Sequence, residues 1–199
     1  GITSDEYHEQ LNWQINFNGI LSFLKTGKYD ELLNYGDRYH GIAFHYISQP
    51  FQLIFHKIIA NLNNLTDFGG HLISKHFVVF LLFFISGIFF YLLSKKLTNN
   101  LNFCLLSTIL YLLYPYLFGH AHFNPKDIPL LSFWVINTYI SLIIIEDLYN
   151  EKKIKINQII LLAFLTSFLI SIRVVGLVIL LQYVIGFIVL FNIKKTSLN

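Results

Sequence analysis

Polar and apolar positions along the chain fall into two regimes that meet near residue 75. Beyond that point, uncharged apolar runs cover about 77–94, 101–119 and 128–146. Each has roughly the 17–25 residues a helix needs to cross the hydrocarbon core of a bilayer. The next run, 156–191, is longer, and Arg173 interrupts it near the middle. As one helix it would measure about 50 Å, too much for a single crossing. It therefore predicts two spans, about 156–172 and 175–191, that turn near Arg173.

The first 75 residues are mixed in character. Over 6–24, Leu11, Trp13, Ile15, Phe17, Ile20, Leu21 and Leu24 make one side greasy and leave the other polar. Over 50–61, Phe51, Leu53, Ile54, Phe55, Ile58 and Ile59 repeat the pattern. Both stretches predict amphipathic helices lying at the membrane interface or against the bundle. Glycine-bearing turn signals at 27–28, 35–37 and 67–70 separate them. The expected fold is all-α, a polytopic transmembrane bundle (76–199) with an outer layer of interfacial helices in a first extracytoplasmic loop (1–75).

Composition sharpens this picture. Charged residues make up 13% of the chain and hydrophobic ones 55%, whereas a soluble domain carries about 25% charged residues. The net charge of +3 is small and by itself says nothing about nucleic acid; no nucleic-acid partner is expected. The single cysteine, Cys104, excludes an internal disulfide and a thiol-rich metal site. Methionine is absent and the chain begins at Gly1, so a piece of a longer protein is expected. Asp5, Glu6 and Glu9 stand where a signal peptide would need basic and apolar residues.

The distribution of charge orients the bundle. Lys95 and Lys96, then Lys152, Lys153 and Lys155, then Lys194 and Lys195 follow alternate spans, and short basic loops mark the cytoplasm. The opposite side receives residues 1–75, the 119–127 loop, Arg173 and all eight histidines. Chemistry is therefore expected on the outer face. Asp5 and Glu6 could hold or deprotonate a substrate, or could merely suit a helix N-terminus together with Glu9 and a Ser4 or Asp5 cap. Asp127 could do the same, or cap the span that begins with Ile128-Pro129. Lys126 could snorkel at the interface. Arg173, inside an apolar stretch, is costly unless it meets water, an acid or an anion, and a guanidinium clamps phosphate well. A carboxylate on this face could take a proton from a hydroxyl or hold a divalent cation. His120 and His122 are a weak zinc-ligand pattern at this spacing. Acid plus phosphate clamp at a membrane edge suits a transferase with a lipid-phosphate donor.

Three short stretches carry a family resemblance. "SDEYH" at 4–8, "FNPKDIPLLSFW" at 123–134 and "LISIRVVGL" at 169–177 resemble motifs of the GT-C membrane glycosyltransferases. The branch in question holds protein O-mannosyltransferases and bacterial lipid A aminoarabinose transferases. The resemblance implies a hexosyltransferase of the bacterial inner membrane with its site facing the periplasm. It would move a sugar from a polyprenyl- or dolichyl-phosphate donor to a protein, lipid or glycan acceptor, inverting the anomeric centre. It assigns the base to Asp5 with Glu6 as neighbour and a supporting acid to Asp127. From the residues themselves, substrate contacts are expected of Arg173, Lys126, His120 and His122, and Asp5 and Asp127 are the candidates to hold a divalent cation if one is used. The family also has a span before the first motif and further spans after the last, so this stretch alone is not expected to turn over. A transporter or a non-catalytic membrane subunit is the rival reading. The charges stay at the ends of the spans, where a transporter would bury them deeper.

Overall fold

A computed structural model of the protein describes residues 6–197, with side chains for all of them except 30, 31 and 193–197. Among the described residues every regular element is helical. The order is α1 (Glu6–Thr26), α2 (Asp30–Asn34), α3 (Ala43–Leu62), α4 (Asp67–Leu97), α5 (Leu101–Leu113), α6 (Pro115–His120), α7 (Asp127–Tyr149), α8 (Ile156–Ile172), a 3-10 turn (Val174–Leu177) and α9 (Val178–Ser197). Asp67–Leu97, Asp127–Tyr149 and Val174–Asn192 are long and apolar enough to cross a membrane and mark an integral membrane protein.

One expected span is shorter than the hydropathy pattern suggests, and another ends where expected. The run 101–119 is cut into α5 and α6 because Pro115 has no N–H to continue the ladder and drives Tyr114 to an extended ψ of 118°. This leaves α5 with 13 residues, about 20 Å of helix. The turn expected near Arg173 is where the backbone breaks. Arg173 is extended (φ −152°, ψ 139°) and ends α8 after 17 residues, about 25 Å.

The outer layer also departs from expectation. Residues 67–70 do not form a turn, because α4 already starts at Asp67, and the Thr66 hydroxyl accepts the Gly69 N–H at 3.1 Å. Gly70 instead lets α3 and α4 touch, since a Cβ there would overlap the His56 carbonyl oxygen. The second amphipathic helix begins at Ala43, not Pro50, which lies inside α3. The first is amphipathic in the opposite sense to a core-packing helix. On α1 the buried residues are Glu6, Glu9, Asn12, Trp13, Asn16 and Gly19, while Phe17, Leu21, Phe23 and Leu24 are exposed. Its polar stripe faces the protein and its apolar side faces outward, as suits a helix wetted by lipid.

The core forms where α4 meets α3 and α7 and α8 closes against them. Val78, Val79, Leu82 and Phe83 of α4 pack with Ile128 and Phe133 of α7 and with Leu169 and Ile172 of α8. Polar side chains then tie α7, α8 and α9 together. Asn137 Oδ1 accepts from the hydroxyls of Thr166 (3.1 Å) and Tyr183 (3.2 Å). Gln182 accepts from Trp134 Nε1 (2.9 Å) and donates to Thr138 Oγ1 (2.9 Å). The ends of the bundle differ in kind. Lys96 pairs with Glu146 at one end, beside the 152–155 loop. The N-terminus of α7 and the C-terminus of α8 share the other. Lys194 and Lys195 lie outside the described side chains.

Candidate functional site

At that second end the loop before α7 fixes a carboxylate. Asn124 folds it: its Oδ1 accepts the N–H groups of Lys126 (3.1 Å) and Asp127 (2.9 Å). Capping of α7 thus falls to Asn124, three residues before the Asp127 that the sequence offers for it, and Asp127 keeps its carboxylate free for other partners. Asn124 Nδ2 donates to Asp127 Oδ2 at 3.0 Å and to His120 Nδ1 at 3.1 Å. Arg173 Nη1 donates to Asp127 Oδ1. Arg173 can do so because the extended backbone that ends α8 turns its side chain along the bundle end. Both partners remain about half exposed, at 46% and 55%.

A cavity of about 470 Å³ opens beside Arg173, lined by Tyr39, His40, Gly41 and residues 172–175. Gly41 is indispensable to its shape, since any Cβ there would overlap the Ile172 carbonyl oxygen. His40 joins this cavity to a second group of charges. Its Nε2 lies 3.3 Å from Glu9 Oε1, which Lys126 Nζ also reaches. His45 Nε2 stands 3.7 Å from Glu9 Oε2, and its ring stacks on Trp13. One turn earlier on α1, Glu6 pairs with Lys75 Nζ and accepts from His76 Nε2 at 2.6 Å. Glu6 and Lys75 are each 2% exposed. A second cavity, of about 380 Å³, adjoins Glu6 and Lys75 and takes in Gln10, Gln14, Gln52, Asp67 and His71.

Burial alone would raise the Glu9 carboxyl, but the facing His45 and Lys126 outweigh it and hold its pKa at about 2. Burial likewise opposes ionisation of Glu6, and His76 with Lys75 reverses the sign, so its pKa lies below the ordinary value. Burial lowers His45, only partly countered by Glu9, so that ring is neutral near pH 7. Two carboxylates on α1 are therefore ionised and enclosed, whereas Asp127 is half exposed and reachable.

The residues singled out in the sequence sort as follows. Asp5, like Ser4, lies outside the described residues. Glu6 is present at this end of the bundle but sealed between Lys75 and His76. Asp127 and Arg173 meet directly. Lys126 turns inward to Glu9, where snorkelling would have sent it to the interface. His120 reaches Asp127 through Asn124. His122 donates Nδ1–H to the Phe118 carbonyl (2.8 Å) and packs on Phe80 and Phe118. Both Asp127 oxygens are engaged by donors. Glu9, Lys75, His40 and His45 were not singled out. Their signal is the spacing of Glu6, Glu9, Asn12 and Asn16, a polar stripe at helical period along an otherwise apolar helix.

No protein-family model matches the chain, and neither does any curated protein or solved structure.

Proposed function

We propose that the protein is a membrane glycosyltransferase that moves a sugar from a polyprenyl-phosphate donor to an acceptor at the outer rim of the bilayer. What supports this reading is the pairing of Arg173 with Asp127 beside an open cavity at one end of an apolar bundle. A guanidinium is held there in water's reach by a carboxylate that a donor phosphate can replace with two parallel hydrogen bonds. The isoprenoid tail stays in lipid while the sugar-phosphate enters the cavity. In the transfer, the acceptor hydroxyl oxygen bonds to the anomeric carbon and the bond from that carbon to the phosphate oxygen breaks. The hydroxyl proton passes to a carboxylate base and the lipid phosphate leaves against Arg173. Asp5 is the base in this scheme and Asp127 the supporting acid. Glu6 and Glu9, locked in ion pairs, set the local field and hold Lys126 and His40 in place. The periplasmic orientation belongs to the same proposal and rests on the basic loops at 95–96 and 152–155.

A transporter would need charges along a path through the bundle. Here Glu6, Glu9, Lys126, Asp127 and Arg173 gather at one end, and the bundle's middle carries uncharged polar pairs. The test uses membranes containing the full-length protein and a radiolabelled polyprenyl-phosphate sugar. Label should leave the lipid fraction, by transfer or by slow hydrolysis, and Asp127→Asn should reduce that release at least about a hundredfold. Undiminished release by the variant would remove Asp127 from the site, and no release by the parent protein would end the glycosyl-transfer reading.

A further inference from the structure

We infer that His56, Asp67 and His71 form a binding site for a zinc-class divalent cation, separate from the Asp127–Arg173 centre. The two histidines and the aspartate each offer a ligand atom, and these atoms lie within 4.8 Å of one another. Asp67 and His71 stand one turn apart on the same face of α4, and His56 comes from α3. Among the described residues they are the group of three metal-ligating side chains that converges in this way.

Three observations make this more than proximity. The first is the tautomer of His56. Its Nδ1 lies 2.7 Å from the Gln52 carbonyl oxygen, which can only accept, so Nδ1 is occupied as a donor and Nε2 is the nitrogen left to meet a ligand. That is how metal-bound imidazoles are generally held from behind. The second is what Nε2 faces: it lies 3.4 Å from Asp67 Oδ1. A tetrahedral ion bound at about 2.0–2.2 Å places its ligand atoms roughly 3.3–3.5 Å apart, which is the spacing found. The other carboxylate oxygen faces His71 Nε2 at 3.9 Å, and closing the site requires the His71 ring to turn out of its stack on His56.

The third observation is how the backbone is built to hold the pair. The His56 and His71 rings stack with centroids 4.0 Å apart and planes 13° from parallel. The stack needs α3 and α4 in close contact, and Gly70, against the His56 carbonyl, permits that contact. Thr66 fixes the first turn of α4, and so the position of Asp67. Two neutral imidazoles and one carboxylate leave a tetrahedral ion with one open position and a net positive charge. Asp67 and His71 line the 380 Å³ cavity, so that position is filled from the cavity by water or by another oxygen ligand.

The inference does not depend on glycosyl transfer, and its test reads binding alone. Full-length protein purified in detergent is stripped with a chelator and titrated with Co²⁺, whose visible ligand-field bands report a four-coordinate site with nitrogen ligands. One ion should bind per chain and Zn²⁺ should displace it. His71→Asn and Asp67→Asn should each weaken binding by roughly tenfold or more, and His122→Ala, at an exposed histidine elsewhere, should leave it unchanged. Far-UV circular dichroism shows whether each variant is folded. A stripped parent protein that takes up no Co²⁺, or folded variants that bind it as the parent does, would overturn the assignment without reference to turnover.

Discussion

Replacing Glu6 by glutamine isolates one electrostatic contact with a large expected effect. The variant keeps the shape of the side chain and removes its charge. Lys75 then has an ammonium that is 2% exposed with no carboxylate in contact among the described residues. Leaving one member of a buried pair unpartnered costs about 3–5 kcal/mol. In a chain of this size each kcal/mol moves the unfolding midpoint by about 2–4 °C, so a drop on the order of 10 °C is expected. Thermal unfolding in detergent, followed by the fluorescence of nearby Trp13 and by circular dichroism, measures it. Adding Lys75→Met should restore most of the loss, because the Glu6–Lys75 site then holds no unpaired buried charge. A Glu6→Gln midpoint within a degree or two of the parent's, or no recovery with Lys75→Met, would refute the reasoning.

Further expectations follow from the same geometry. Glu9 has its pKa lowered from 4.5 to about 2; the stability it contributes, about 3 kcal/mol, is complete above pH 4.5 and lost as pH falls toward 2. Acid unfolding of Glu9→Gln should show a correspondingly flatter slope over that window. Gly41→Ala should push the start of α3 away from the end of α8 and lower stability by about 2 kcal/mol or more, with donor release falling further than the midpoint shift explains. Arg173→Lys keeps the charge but loses the planar two-bond clamp, so the donor's apparent KM should rise roughly tenfold in a transfer assay while circular dichroism stays unchanged.

The sequence and the structure agree most where a single physical quantity decides. Long uncharged runs have no alternative to helix in lipid, so α7 and the apolar part of α4 were legible from hydropathy alone. The break at Arg173 followed from length and one charge. Agreement fails where a residue has two meanings. Gly69-Gly70 reads as a turn along the chain, and only the distant His56 carbonyl explains why Gly70 belongs inside a helix. Pro50 reads as a start, yet α3 accepts it with seven residues before it. Glu6 and Glu9 look like ordinary first-turn acids. Their burial is set by Lys75, His76 and Lys126, more than sixty positions away, which no local pattern encodes. Asp127 and Arg173 were each conspicuous as charges at the edge of apolar stretches, and only the return of α8 to the start of α7 joins them.

The hydrogen bonds from α9 to α7 and α8 bear on how the bundle assembles. Only 17% of the Val174–Asn192 window is buried within the protein, and aliphatic side chains gain little by leaving acyl chains for other side chains. Grease therefore cannot choose where α9 docks. Gln182 and Tyr183 can, because a slide of one turn, about 5.4 Å, would part Gln182 from Trp134 and Thr138 and Tyr183 from Asn137. Thr166 joins the same cluster, since its hydroxyl reaches both Asn137 and Tyr183, so the seat of α9 is built jointly by α7 and α8.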